Sequence, residues 1–305
     1  MKRYLNLQVL QDESMSGPIT VEQVLKKQAM LTKRQISRAK FSPDGILKNG
    51  MRCRVTERVN CGDSIRVCVE TEEETSSHIE ENHADIHILY EDVDILLVNK
   101  PAGLVTHPQG MHYNDTLVNR TAAYFRNKGE EHCIRPVGRL DKDTSGIVVI
   151  AKNRLAASRL QKQREENIFK KTYLAVVCGE LPEDGLIHRI EEPIGPDPDD
   201  RLKMKITPDG KNAITWYQVL QSKNDKSIVS LTLETGRTHQ IRVHMAGIGH
   251  PLWGDPLYGK KTVQENRYAG DNAGTRACLH AWKVELRQPL TGEMLEFEAK
   301  EKYIL

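Results

Sequence analysis

The 305-residue sequence contains neither G-x-x-x-x-G-K-[ST] nor G-x-G-x-x-G, the usual loops that cradle nucleotide phosphates. It also lacks the H-E-x-x-H zinc pair and the G-x-S-x-G nucleophile elbow. Its six cysteines (53, 61, 68, 133, 178 and 278) never approach the two-to-four-residue spacing of a zinc site. Free thiols in a reducing cytosol are expected, with no metal and no cofactor. No apolar run nears the roughly 18 residues of a membrane span. The opening "MKRYLNLQVL" has no long apolar core or small-residue cleavage site, so no signal peptide is expected. These absences point to a cytoplasmic protein with no membrane partner. Charge of one sign is also missing overall: the net value is +2, so any preference for a partner must come from how charge is distributed.

That distribution is uneven. Residues 71–87, "TEEETSSHIEENHADIH", are acidic and poor in bulky apolar side chains, which marks a linker or exposed loop. The linker divides the chain into residues 1–70 and 88–305. In the first part, Thr20 with Gln23 and Thr32 with Gln35 have capping-box spacing, predicting two short helices. The second, "TKRQISRAKF", places Lys33, Arg34 and Arg38 near one face and offers Ile36 and Phe41 to the core. A hairpin about Asn49-Gly50 and a strand in "NCGDSIRVCVE" follow. Between positions 21 and 70 there are 11 Lys/Arg against 5 Asp/Glu, which suits contact with phosphates as well as an ordinary solvated face.

In the larger part, Ile88–Tyr90, Ile95–Val98 and Ile147–Ala151 predict strands, and Arg154–Glu166 predicts a helix. "KKTYLAVVCG", "AITWYQVL", "SIVSLTLETG", "ACLHAWKVEL" and "MLEFEAK" read as further strands. Ile241, Met245 and Ile248 outline a short helix with one apolar stripe. Strands outnumber helices without alternating with them, so the expected class is α+β on a mixed, mostly antiparallel sheet.

With cofactor loops absent, the available chemistry lies in carboxylates and arginines. "RPVGRLDKDTSGIVVIAK" places Asp141 in a charged turn before an apolar strand, and Asp143 reads as a turn-stabilising side chain. Asp141 fits either a surface-loop aspartate or a reacting carboxylate. Arg242 sits at the edge of the apolar stripe. There it can pair with a carboxylate and hold it ionised as a nucleophile. Tyr173 shares a strand face with Ala175 and Val177, and core packing explains it equally well. His107, His239 and His244 are read as structural hydrogen-bonders.

Four segments together, "GRLDKDTSGIVVIAKN", "VNKPAGLVTHP", "FKKTYLAVVCG" and "ETGRTHQIRVHMAGIGHPLWGDPLYG", resemble the RluA family of RNA pseudouridine synthases in the family's order over residues 88–305. The first part resembles the S-four (α-L) RNA-binding domain over about 50 residues. The resemblance implies an isomerase that detaches uracil from ribose, turns it and rejoins it through carbon five. It implies that Asp141 is the essential carboxylate, Arg139 displaces the target base, Tyr173 packs on uracil and Arg242 is the basic partner of the aspartate. Lys33, Arg34 and Arg38 would grip RNA. The implied partner is structured RNA, ribosomal RNA of the large subunit first and tRNA second, bound by a monomer that needs no cofactor. A non-catalytic ribosome-assembly factor and a small-molecule glycosidase are the competing readings. One departure stands out: the family usually carries histidine before R-L-D, whereas this chain has Gly138.

Overall fold

A computed structural model describes residues 3–10, 19–70, 76, 78–259 and 276–301. The N-terminal unit runs β1 (Arg3–Gln8), β2 (Ile19–Thr20), α1 (Val21–Lys27), α2 (Lys33–Phe41), β3 (Ile46–Lys48), β4 (Met51–Arg52), β5 (Arg58–Val59) and β6 (Ser64–Glu70). Both predicted capping boxes form, with Thr20 accepting from the Gln23 N–H and Thr32 from the Gln35 N–H. The Asn49-Gly50 turn also forms. Both residues take positive φ (49° and 81°), as a two-residue hairpin turn requires, and Lys48 pairs with Met51.

One element of this unit was not anticipated and one expectation fails. The unit opens with β1, which pairs antiparallel with β6 and heads a sheet of order β1-β6-β3-β4. And while Ile36 is buried, Phe41 is 76% exposed. Five residues rotate a helix by about 500°, which carries Phe41 some 140° away from Ile36.

The larger unit continues with β7 (His87–Glu91), β8 (Ile95–Lys100), α3 (Leu117–Asn127), β9 (Arg135–Pro136), β10 (Ser145–Ala151), α4 (Arg154–Glu165), β11 (Lys170–Cys178), β12 (His188–Glu191), β13 (Ile194–Pro196), β14 (Met204–Ile206), β15 (Ile214–Lys223), β16 (Lys226–Leu233), α5 (Gln240–Gly247), β17 (Leu279–Arg287) and β18 (Met294–Glu298). Its main sheet has the order β12-β15-β16-β11-β17-β10-β8-β7, with β18 on β17 and β9 on β10. Every pairing is antiparallel except β10 with β17, so the sheet is mixed and the class is α+β as expected.

The apolar runs "ILLV" and "GIVVIA" are continuous because both sheet faces are covered. Leu96, Val98, Val148 and Ile150 pack with Leu117 and Phe125 of α3. The alternate residues Ile95, Leu97, Ile147 and Val149 pack with Ala156 and Leu160 of α4. At α5, Ile241 and Met245 are buried, but Ile248 is 38% exposed because the helix ends at Gly247 and the chain turns away.

Residues 76 and 78–86 carry no regular element, yet they are tied to the larger unit. The Ser76 hydroxyl accepts from the Ile134 N–H, Asn119 donates to the Glu80 carbonyl, and Ile79 and Ile86 pack near Phe125. Positions 71–75 and 77 of the expected linker lie outside the described residues. The two units share a core: Leu155 of α4 is part of the N-terminal apolar cluster, and Leu290 packs against it.

Candidate active site

The β9–β10 loop, residues 137–144, is the centre of the site, and its shape is fixed from below. Lys100, at the end of β8, is fully buried and donates to three carbonyls: Pro101 (2.9 Å), Leu104 (2.7 Å) and Lys142 (3.1 Å). One ammonium thus ties the β8 exit to the residue after Asp141. Burial presses its pKa down to about 8, against the pull of Asp143 and Asp141. Thr106 Oγ1 donates to the Leu140 carbonyl (3.1 Å), and the Gly103 N–H donates to Lys142 (2.9 Å). The Thr144 N–H closes the turn onto the Asp141 carbonyl (3.1 Å). The loop then enters β10 at Gly146, whose φ is +112° and where a Cβ would stand 2.3 Å from the Ala281 oxygen. Only glycine allows β10 and β17 to approach this closely.

Held in this way, Asp141 lies half-buried on a cleft of about 620 Å³ that also takes in Arg139, Arg164, Tyr173, His239 and Arg242. Arg139 reaches the Asp141 carboxylate at 3.4 Å and is itself largely exposed. Tyr173 enters from β11, where its backbone pairs with Leu231 of β16 and Ala281 of β17, and it packs against the apolar clusters on both sides. Burial first, then the charge of Asp141, pushes its phenol up to about 12, so the hydroxyl keeps its proton across the neutral range. Four expected site residues, Asp141, Arg139, Tyr173 and Arg242, therefore meet in one cleft.

Arg242 differs from expectation in its partner. Its Nε and Nη2 donate to the two carboxylate oxygens of Asp255 at 2.7 and 2.6 Å, with both residues buried. The bidentate fork is occupied by Asp255, so Arg242 acts on Asp141 through its field across the cleft rather than through a direct ion pair. Asp255 also accepts the Leu257 and Tyr258 N–H groups, which fixes the pair in place. The Tyr258 hydroxyl meets His239 Nδ1 at 3.0 Å, and the Arg242 guanidinium lies over the Tyr258 ring at 5.1 Å.

His239 takes a left-handed φ of 56° at the start of α5 and lines the cleft, and burial lowers its pKa. His244 has an ordinary structural role, with ring nitrogens on Thr215 Oγ1 and the Glu192 carbonyl.

Sequence reasoning assigned no role to Lys100, Asp255, Tyr258 or Arg164. Lys100 stood in "VNKPAG" and the next two in "GDPLYG", both already singled out as segments, so a strand-ending Lys-Pro and a lone Asp near Arg242 were the available signals. Arg164 carried none, because only the fold brings α4 to the cleft. There its guanidinium stands 3.4 Å from where a Cβ of Gly138 would be. Gly138 takes φ +79°, so the loop uses a conformation that favours glycine, and the space beside it holds an arginine contributed by α4.

Lys33, Arg34 and Arg38 lie exposed on α2, outside this cleft. Among the described residues no helix is long and apolar enough to cross a membrane.

Comparison with known proteins agrees with this geometry. Residues 94–247 match the RNA pseudouridylate synthase family. The chain is 42% identical over 258 residues to the uncharacterized RNA pseudouridine synthase YlyB of Bacillus subtilis, covering 83% of this chain and 81% of that protein. It is 39% identical over 243 residues to the ribosomal large subunit pseudouridine synthase D of Nitrosomonas europaea, covering 80% and 70%. Among solved structures it resembles human RNA pseudouridylate synthase domain containing 1, with a TM-score of 0.58, 28% identity, and 72% and 85% coverage. With its cleft built from the motif segments that this family matches, the chain belongs to the RNA pseudouridylate synthase family and is an RNA pseudouridine synthase, an isomerase.

Proposed function

We propose that this protein isomerises specific uridines of large-subunit ribosomal RNA, with Asp141 as the catalytic carboxylate. The observation that carries the reading is the half-buried Asp141, held by a rigid loop between Arg139 and the tyrosine of β11 on one cleft. Large-subunit RNA is favoured over tRNA by relatives such as the synthase D of Nitrosomonas europaea. The target uridine leaves its stack at a cost of a few kcal/mol, which pocket contacts offset. Arg139, exposed at the rim, fills the space the base vacates. The uracil ring lies against Tyr173, and one aromatic contact of this kind contributes about 1–3 kcal/mol.

In the reaction the N1–C1′ bond breaks with Asp141 facing the ribose. The base turns, C5–C1′ forms, the C5 proton leaves and N1 gains one. Atoms and electrons balance within the substrate. Tyr173, protonated throughout the neutral range, can take the C5 proton only as its own hydroxyl proton leaves in the same step, so it acts as a relay and not as a free base. Arg242 supports the negative carboxylate through space. Residues 1–70 act as an S-four-like RNA-binding unit, with Lys33, Arg34 and Arg38 of α2 on phosphates.

The test is tritium release from ribosomal RNA and tRNA labelled at uridine C5. The native protein should release tritium from the large-subunit RNA. Asp141→Asn should abolish release while binding the same RNA within about threefold of native. Substantial release by the variant, or release from tRNA alone, would overturn the corresponding part of the reading.

A further inference from the structure

One cation on the catalytic cleft has no protein partner. Arg242 gives its fork to Asp255, and Arg139 meets Asp141. Arg237 donates from Nε to the Asn212 carbonyl (3.0 Å), and Lys171 donates to the Ile147 carbonyl (2.9 Å). The Arg164 guanidinium, by contrast, makes no hydrogen bond or ion pair with any described residue. The three acidic residues lining the same cleft are engaged elsewhere. Asp141 meets Arg139, Glu165 accepts from the Gln161 amide (3.1 Å), and Glu234 accepts from the Trp216 indole (2.7 Å).

The fold fixes where this cation stands. Arg164 lies in the last turn of α4, where a positive charge complements the helix carbonyls. The buried Gln163 beside it donates to the Arg287 carbonyl and accepts from the Arg287 N–H, both at 2.8 Å, which holds that turn against β17. The guanidinium is 3.4 Å from where a Cβ of Gly138 would be and 3.7 Å from that of Gly236. It thus spans the mouth between the Asp141 loop and the turn before α5, and neither glycine has a side chain to cover it. Its charge also acts inward. Desolvation, with the Arg164 charge behind it, presses the Lys171 ammonium down to about 7. Lys171 is therefore charged only part of the time near neutral pH, whereas an arginine keeps its charge throughout.

With Asp141 facing the ribose and Tyr173 the uracil, the part of the target nucleotide still to be met is its phosphate. An unpaired planar guanidinium can donate to two phosphate oxygens at once. We propose that Arg164 binds a phosphate flanking the flipped uridine and so fixes the ribose over Asp141. This deepens the reading above and rests on it for the placement of ribose and base in the cleft.

The experiment is calorimetric binding to the full chain at constant ionic strength. The probes are uridine, uridine 5′-monophosphate, uridine 3′-monophosphate and inorganic phosphate, against native protein, Arg164→Met, Arg164→Gln and Arg164→Lys. Lys223→Gln, exposed on β15 and outside the cleft, is the control and should match native. Arg164 is exposed, so every variant should unfold at the native temperature. One of the monophosphates should bind native protein about tenfold more tightly than uridine, the gain from one charge-assisted contact. Arg164→Met and Arg164→Gln should lose that preference and leave uridine binding alone. Arg164→Lys should keep part of it, since a point charge replaces the fork. In tritium release from ribosomal RNA, Arg164→Met should raise KM about 3–10-fold with kcat within about twofold of native, as loss of uniform binding does. Its affinity for that RNA should lose about one contact's worth of salt slope, near 0.7–0.9.

A methionine variant as good as the lysine variant would mean that Arg164 only fills the space beside Gly138, and the proposal is wrong. It is overturned equally if neither monophosphate binds native protein better than uridine, or if neither binds better than inorganic phosphate. Absence of tritium release from native protein would count against the enzyme reading, while calorimetry would still decide the role of Arg164.

Discussion

Single residues in this protein are legible to the degree that their partners are close in sequence. Asp141, Arg139 and Tyr173 could be nominated because they stand in segments with a recognisable order, and the cleft gathers them as expected. The partner of Arg242 was not legible. Asp255 lies 13 positions away and is brought to it by the turn after α5. Lys100 is a similar case, since its three acceptors come from two loops that sequence alone does not juxtapose. Its role gives a direct prediction. Lys100→Met leaves the Pro101 and Leu104 carbonyls without a donor and the Lys142 carbonyl with only the Gly103 N–H, and each buried group so orphaned costs about 1–3 kcal/mol. Urea unfolding at pH 7 should show a loss of at least about 2 kcal/mol, accompanied by slower tritium release as the Asp141 loop loosens. The pH dependence has a definite sign. The folded pKa of Lys100, about 8, lies below its ordinary 10.5, so in that window the unfolded chain holds more protons than the folded one. Stability from this group then rises with pH between about 8 and 10.5. The native protein should gain on the variant across that window, and a constant difference would refute the assignment.

Whole elements were readable where local pattern and tertiary demand coincide. The capped helices α1 and α2 and the helix α4 lie at their expected positions, because caps and apolar stripes already specify them. β1 was not anticipated because its pattern, "RYLNLQ", acquires meaning only against β6. α3 went unread although Thr116 and Asn119 form a capping box, because its apolar face interrupts a long stretch of loop. The junction of β10 and β17 shows why order along the chain does not reveal a sheet. It is the one parallel pairing among the described strands, and it joins strands some 135 residues apart. Ser145 Oγ and His280 Nδ1 meet there at 2.8 Å beside the glycine that lets the backbones touch. Gly146→Ala adds a methyl 2.3–2.8 Å from Ala281 backbone atoms at a φ that disfavours side chains. Strain and overpacking together should destabilise the protein by about 2–5 kcal/mol. Denaturation should show this loss directly. A variant within 0.5 kcal/mol of native, a margin typical of about any neutral surface change, would mean that the seam tolerates a shift.

At the scale of the molecule, the acidic stretch after residue 70 suggested two independent parts, yet the apolar cores run together. Leu155 belongs to the larger unit by sequence and to the N-terminal cluster by packing, and Arg159 uses its guanidinium to join Ala29 to Pro289. Removing residues 1–70 therefore does more than delete a basic surface. It exposes Leu155 and Leu290 and leaves a buried arginine short of one carbonyl. A fully exposed leucine forfeits about 1.5–3 kcal/mol of burial, and the loss of the Arg159–Ala29 hydrogen bond adds to that. The truncated chain should unfold at a lower temperature than the intact protein and bind ribosomal RNA more weakly. Because fewer phosphates are contacted, its affinity should also fall less steeply with salt. Leu155→Gln in the truncated chain separates the two effects. It should recover part of the lost solubility and stability by removing the exposed apolar group, and leave the shallow salt slope as it was. A truncated chain as stable as the intact one would show that the shared core contributes little. An unchanged salt slope would show that the basic face of α2 does not reach the RNA.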